Sequence, residues 1–402
     1  KEKIEKLKKA KRILVTCGQN SYVSPALQES LKEFFKKYNS AVSIEYMSNI
    51  EIEEGLNLNV CMDARYVIPK KVKEFLPDIV ISFGGNIFAG IKEQFRKFAG
   101  KFEHWLVQED GRVVDLYKSI TTIFECKPEY FFKYCVNVAD ENQTNDCEYY
   151  QGLKRYVDSV IYPDFPYSHV YAIKEVVEKI PADSVLHLSI NDSIRITNFF
   201  KLNPRIKTYA NIGTHGIDGC LSSFLGQAVA GNKQSYLVIG DLAFFYDMNA
   251  MRLRHIKNNV HILLINNEGG SEFYFNHMWK DKASDLHTTA RHHTKAEGWV
   301  KSNNFIYLSA HDKESMQEAL KEFMRSDLEK PVFLEVFTEM KTDSDVIYDF
   351  FDLSRPKYVQ SETIRRSKEF IKATIGQEKS HFIRNWMRMS PVMRLQARNR
   401  RI

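Results

Sequence analysis

This sequence has no long hydrophobic run. No stretch of about 18 apolar residues occurs in its 402 positions, and the opening KEKIEKLKKAKR is charged where a secretory leader would be apolar. Neither a membrane span nor a signal peptide is read from it. Six cysteines, at positions 17, 61, 126, 135, 147 and 220, form no C-x-x-C pair and keep no regular spacing. That pattern argues against a disulfide framework or a zinc ribbon and reads as reduced thiols in a cytoplasmic protein. No G-x-G-x-x-G follows the first strand, and no G-x-S-x-G or Cys/His nucleophile pattern occurs. His292-His293 and the other histidines lack metal-ligand spacing, and there is no internal repeat.

What remains is an ordinary globular composition, 44% hydrophobic and 13% aromatic, enough for two or three domains with sizeable cores. The net charge of +6 is unevenly placed. Residues 355–402 hold 13 Lys/Arg against 3 Asp/Glu, so the rest of the chain is at net −4. A mildly acidic body with a basic tail does not read as a nucleic-acid binder. The tail is expected to dock across a subunit or a neighbouring domain.

Apolar runs alternate with helical patterns. Strands are expected at 12–18, 42–46, 78–83, 104–108 and 121–125, and again at 184–188, 207–210, 235–239, 261–265, 305–308 and 331–337. Strands alternating with helices predict α/β architecture with two parallel-sheet, three-layer domains. The expected divisions are a first domain over 1–138, a polar, turn-rich linker over 139–165, a second domain over 166–342 and a basic helical tail over 343–402. Gly84-Gly85-Asn86 after the third strand reads as a tight turn or a ligand-facing loop.

The most informative segment is GDLAFFYDMNAMRLRHIKNNVHILLINNEGG, residues 240–270. One strand, Ser235–Ile239, ends in Gly240-Asp241, and an amphipathic helix at 243–254 is expected to follow. The next, His261–Ile265, ends in Asn266-Asn267-Glu268-Gly269-Gly270. In a parallel sheet both ends emerge on one edge, where open α/β folds bind ligands. A carboxylate, a carboxamide and a nearby carbonyl suit a hard divalent cation that also holds phosphate oxygens. The free N–H groups of Leu242 and Ala243 would face the phosphate. Asp241 also reads as an N-cap, and the Asn pair as turn residues.

This Gly-Asp followed by an Asn pair resembles the thiamine diphosphate signature. The wording GDLAFFYDMNA is closest to the menaquinone-pathway SEPHCHC (2-succinyl-5-enolpyruvyl-6-hydroxy-3-cyclohexene-1-carboxylate) synthases. Gly216-Ile217-Asp218-Gly219, Gly226 and Phe273 also match. The resemblance implies thiamine diphosphate and Mg²⁺ (or Mn²⁺) as cofactors. It implies cofactor contacts from Gly216, Ile217, Gly240, Asp241, Leu242, Ala243 and Asn267, and metal ligation by Asp241, Asn267 and the Gly269 carbonyl. Ile217 falls where the family places the apolar wedge that bends the cofactor; the plain alternative is a core isoleucine. Asp218 reads equally as a cap.

The family's substrate-carboxylate Ser and Arg correspond to Asn191 and Arg195, with a surface Arg as the alternative reading. The family's Asn-Arg-Gly reads Asn211-Ile212-Gly213, which removes an anion contact. The resemblance implies a 2-oxo acid decarboxylase/carboligase acting on a small anionic 2-oxo acid. The alternatives are a phosphonopyruvate- or sulfopyruvate-type decarboxylase portion, or a non-catalytic cofactor-binding scaffold. The pyrimidine-binding domain, with the Glu that activates the cofactor, is not read in these residues. No catalytic residue is therefore assigned, and the chain alone is expected to be inactive. Because the first residue is Lys, that domain is expected on a longer form of this chain, or else on a separate subunit, in a homo-oligomer (dimer or tetramer).

Overall fold

In the computed structural model the structure describes residues 2–63, 69–274 and 287–353. The basic segment from residue 354 onward, which carries most of the expected tail, lies outside the described residues. Two all-parallel sheets form the frame. The first is ordered β2-β1-β3-β4-β5, from Ile13–Cys17 (β1), Ser40–Ile44 (β2), Ile79–Phe83 (β3), Glu103–Val107 (β4) and Ile120–Phe124 (β5). The second is ordered β10-β11-β9-β8-β6-β7. Its strands are Val185–Leu188 (β6), Lys207–Ala210 (β7), Ser235–Gly240 (β8), Val260–Asn266 (β9), Ile306–Ala310 (β10) and Val332–Phe337 (β11).

The strands are apolar runs because both faces are covered. Every residue of β1, β3 and β9 is buried. In the second sheet alternate residues separate into two cores. Leu186, Tyr236, Val238, Leu263 and Leu334 face one, and Leu237, Ile239, Ile262, Leu264 and Phe333 face the other. Helices cover each side, which gives the three layers. Some helices start at side-chain caps. Ser24 accepts the Leu27 N–H at the head of Pro25–Lys37, and Asp312 with Ser315 makes a capping box before Lys313–Phe323.

Two expected non-domain segments pack as structure. In the expected linker, the helix Glu148–Asp158 buries Tyr149, Tyr150 and Leu153 against the first core. Its apolar residues lie on one helical face, while the surrounding Asn, Asp and Gln obscure that face in sequence. Past the expected boundary at 342, the helix Met340–Leu353 places Val346, Ile347, Phe350 and Phe351 in the second core. Residues 343–353 therefore pack with the second domain. The two sheets also join. Asn49 exchanges hydrogen bonds with both backbone groups of Thr208 on edge strand β7, and Gln19 donates to the Ala210 carbonyl.

In the first sheet the strand order reverses between β1 and β3, a usual ligand crevice. Here it is sealed by backbone. Gly85 N donates to Gln19 O at 2.7 Å, and a Cβ on Gly18 would lie 2.3 Å from Gly85 O. Gly84-Gly85-Asn86 is thus a tight turn closing on the neighbouring strand end. In the second sheet the order reverses between β6 and β8, and that crevice is open. No described helix is long and apolar enough to cross a membrane.

Phe350 is 2% exposed and packs against the rings of Tyr162, Phe165 and Phe199. Phe350→Ala should cost about 3–5 kcal/mol of stability, read from the urea midpoint. A loss below about 1 kcal/mol would show that this helix does not complete the second core.

Candidate active site

The open crevice lies outside the carboxyl ends of β6 and β8. Ser189–Ser193 lines it from β6, Gly240–Ala243 from β8, and Asn267 with Gly269–Phe273 from β9. His169 and Ile217 complete the wall of a cleft of about 640 Å³, open mouth included. Among the expected cofactor contacts, Ile217, Gly240, Asp241, Leu242, Ala243, Asn267 and Gly269 are brought together here. Gly216 is not among the lining residues. It packs against Asp218, whose Oδ1 would lie 2.4 Å from an added Cβ.

Asp241 is 2% exposed. It is the first helical residue and not the cap, a position Gly240 takes. Its Oδ2 accepts the N–H groups of Asn267 at 3.1 Å and Gly269 at 3.0 Å, and its Oδ1 accepts the Leu242 N–H at 2.6 Å. One carboxylate thus folds the loop after β9 over the end of β8. Gly269 is required in that loop. Its φ is +151°, and a Cβ would meet Thr289 O at 2.6 Å. The helix starting at Asp241 stops at Asp247 and continues as a 3₁₀ turn over Met248–Arg252, shorter than the expected 243–254. Asp247 is drawn to Ser222, whose N–H and hydroxyl both donate to it, and the Trp299 indole takes the Met248 carbonyl that a continuing helix would need.

The two asparagines have different work. Asn266 is 1% exposed and donates to Thr294 O and to the buried Glu335, tying the sheet to the following loop. Asn267 lines the cleft, and its Nδ2 donates to Asp343 Oδ2 at 2.8 Å. Only an amide nitrogen can donate to a carboxylate, so the Asn267 oxygen is the end left for a ligand. Glu268 turns away to His293, Nδ1 to Oε1 at 3.0 Å.

These groups fit a hard cation. Asp241, the Asn267 oxygen and the Gly269 carbonyl are an all-oxygen donor set on one loop and one strand end. His292 Nε2, buried without a hydrogen-bond partner, lies 3.4 Å from Asp241 Oδ2, and that carboxylate raises the imidazole pKa.

Of the two expected substrate residues, Asn191 lines the cleft and Arg195 is not among its lining residues. Asn191 opens the helix Asp192–Thr197 with φ 58° and ψ −119°, a strained backbone for a non-glycine at the cleft. Arg195 pairs with two residues that do line the cleft, Asp192 and Glu272, both at 3.1 Å, and its guanidinium lies over the Phe88 ring of the first domain. Ile212 is buried in the second core, so it faces apolar neighbours.

Sequence reasoning missed a polar cluster that forms part of the cleft wall and is backed by Asp343. His169 is 1% exposed between two carboxylates, Nε2 at 3.7 Å from Asp192 and Nδ1 at 3.3 Å from Asp343. Ser271 also donates to Asp192. No spacing signals this set, because positions 169, 192, 271 and 343 meet only through topology. Burial opposes charge on His169, but Asp343 and Asp192 outweigh it and raise its pKa to about 9.

No family model matches the chain. Curated relatives do. It is 32% identical over 357 residues to the 2-succinyl-5-enolpyruvyl-6-hydroxy-3-cyclohexene-1-carboxylate synthase of Phocaeicola vulgatus, covering 87% of this chain and 62% of that protein. Similar matches are to the proteins of the same name from Bacteroides fragilis, 32% identical over 352 residues, and Bacteroides thetaiotaomicron, 31% over 358 residues. The chain is a homologue of the SEPHCHC synthases. It spans about 62% of the length of the first of these relatives.

His169 makes stability depend on pH. Its folded pKa lies above its ordinary 6.5, so its contribution is fully present below that value and lost as pH rises through about 9. The gap in urea midpoint between wild type and His169→Gln should be widest near about pH 6 and shrink towards about pH 10. A constant gap would contradict the charged bridge.

Proposed function

We propose that this chain is the diphosphate- and metal-binding portion of a thiamine diphosphate-dependent enzyme of the SEPHCHC synthase type, a 2-oxo acid decarboxylase/carboligase. The observation that carries the reading is the convergence of Asp241, at the end of β8, and Asn267, at the end of β9, in the open cleft. The homology to the synthases supports it. When bound, thiamine diphosphate supplies an electron sink for breaking the bond to the 2-oxo acid's carboxylate.

In this reading Asp241, the Asn267 oxygen and the Gly269 carbonyl hold Mg²⁺ or Mn²⁺ against the diphosphate. Gly240, Leu242 and Ala243 offer the wall along which the diphosphate lies. Ile217, half-buried and apolar, supports the ring end of the cofactor. Asn191 stands at the substrate end, with Arg195 behind it. Activation of the cofactor is assigned to a Glu on a pyrimidine-binding domain, from the same longer chain or a separate subunit, within a cytoplasmic homo-oligomer.

A second reading is a 2-oxo acid decarboxylase of the phosphonopyruvate or sulfopyruvate type, whose substrate pair differs from that of the synthases. The observation favouring it is Ile212, buried in the second core where the resemblance implies a substrate-binding Arg.

Calorimetry tests the cofactor assignment. Thiamine diphosphate should bind only when Mg²⁺ or Mn²⁺ is present, and Asp241→Ala should abolish that binding. Unaltered affinity in the variant would overturn the assignment.

A further inference from the structure

We infer that Asp343 is a positioning residue that fixes which end of the Asn267 carboxamide faces the cleft, with the backbone of His169 setting the polarity of the contact. This rests on the reading of Asn267 as a cation ligand.

An asparagine is useful to a cation only through its oxygen. Its two ends are nearly the same size, so packing alone does not choose between them. Asp343 is 0% exposed and accepts at both oxygens. Its Oδ1 takes the His169 backbone N–H at 2.8 Å, and its Oδ2 takes the Asn267 amide nitrogen at 2.8 Å and the Thr338 hydroxyl at 2.7 Å. A carboxylate cannot donate, so the Asn267 nitrogen is held inward and its oxygen is left for the cleft.

Replacement of Asp343 by Asn would reverse this. The His169 N–H is main chain and can only donate, and the His169 ring nitrogen lies 3.3 Å from the same oxygen. The new amide must therefore keep its oxygen on that side and turn its nitrogen towards Asn267. Two amide nitrogens cannot face each other, so Asn267 would rotate and present its nitrogen to the cation. Thr338 does not resist, since a hydroxyl can donate or accept. Exchange of the two residues, Asn267→Asp with Asp343→Asn, restores a donor–acceptor contact and leaves a carboxylate oxygen towards the cleft.

The test is a Mn²⁺ titration of the intact protein with thiamine diphosphate present, followed by the electron paramagnetic resonance signal of free Mn²⁺. Asp343→Asn should weaken Mn²⁺ binding by about tenfold or more, the usual loss when a partner of a metal ligand is removed. The double exchange should recover it to within about threefold of wild type. A purely structural role would lower the melting temperature and leave the affinity of the folded protein intact. Unchanged affinity in Asp343→Asn overturns the inference while leaving the proposed function standing. No Mn²⁺ binding by wild type overturns both. If Asp343→Asn does not fold, the double exchange decides. Folding with near wild-type affinity supports the inference, and misfolding or weak binding overturns it.

Discussion

A carboxylate removed from water must be met by donors, and at the open cleft that requirement falls on Asp241. It is met by the main chain of the next strand's loop, through Asn267 and Gly269. Two consequences follow from that single group. The loop after β9 is folded over the end of β8, which brings Asn267 into the cleft. The same carboxylate keeps an electrostatic demand that Leu242, Asn267 and Gly269 meet only with neutral N–H groups. In the proposed reading a divalent cation with phosphate oxygens would answer that demand more fully, because buried charge is compensated best by opposite charge with good geometry.

Behind this centre a second layer connects the two ends of the cleft. Asn267 is held by Asp343, which meets His169, which meets Asp192, which holds Ser271 and Arg195. All three intermediates are charged or polar and mostly shielded from water. Such a network is costly when only partly satisfied and rigid when complete. It links the expected cation end to the expected substrate end, with no element of the first domain in the chain of contacts. The first domain enters at the edge, where Phe88 lies beneath the Arg195 guanidinium.

Much of the frame could be read from pattern alone. Strands such as VHILLIN and SYLVIG are built on short apolar runs, ILLI and YLVI, and such runs in a parallel sheet declare themselves without their partners. Asp241 and Asn267 were legible for the same reason, since parallel strand ends share an edge. What escaped had no local pattern. Tyr149 and Leu153 sit on a helix hidden among polar residues, and Val346 and Phe350 lie in a segment whose charged neighbours resemble a tail. Arg195 was read by its type, and its partners Asp192 and Glu272 come from 3 and 77 residues away. Asp343 and His169 are 174 residues apart and meet only because two helices pack on one face of the second sheet.

The most direct measurement is an anomalous-scattering crystal structure of the intact protein with Mn²⁺ and thiamine diphosphate. The account predicts one Mn²⁺ peak touching an Asp241 oxygen, the Asn267 side-chain oxygen, the Gly269 carbonyl and two diphosphate oxygens, at roughly 2.0–2.3 Å. A diphosphate bound away from β8 and β9, or a metal contacted by the Asn267 nitrogen end or by neither asparagine, would contradict it.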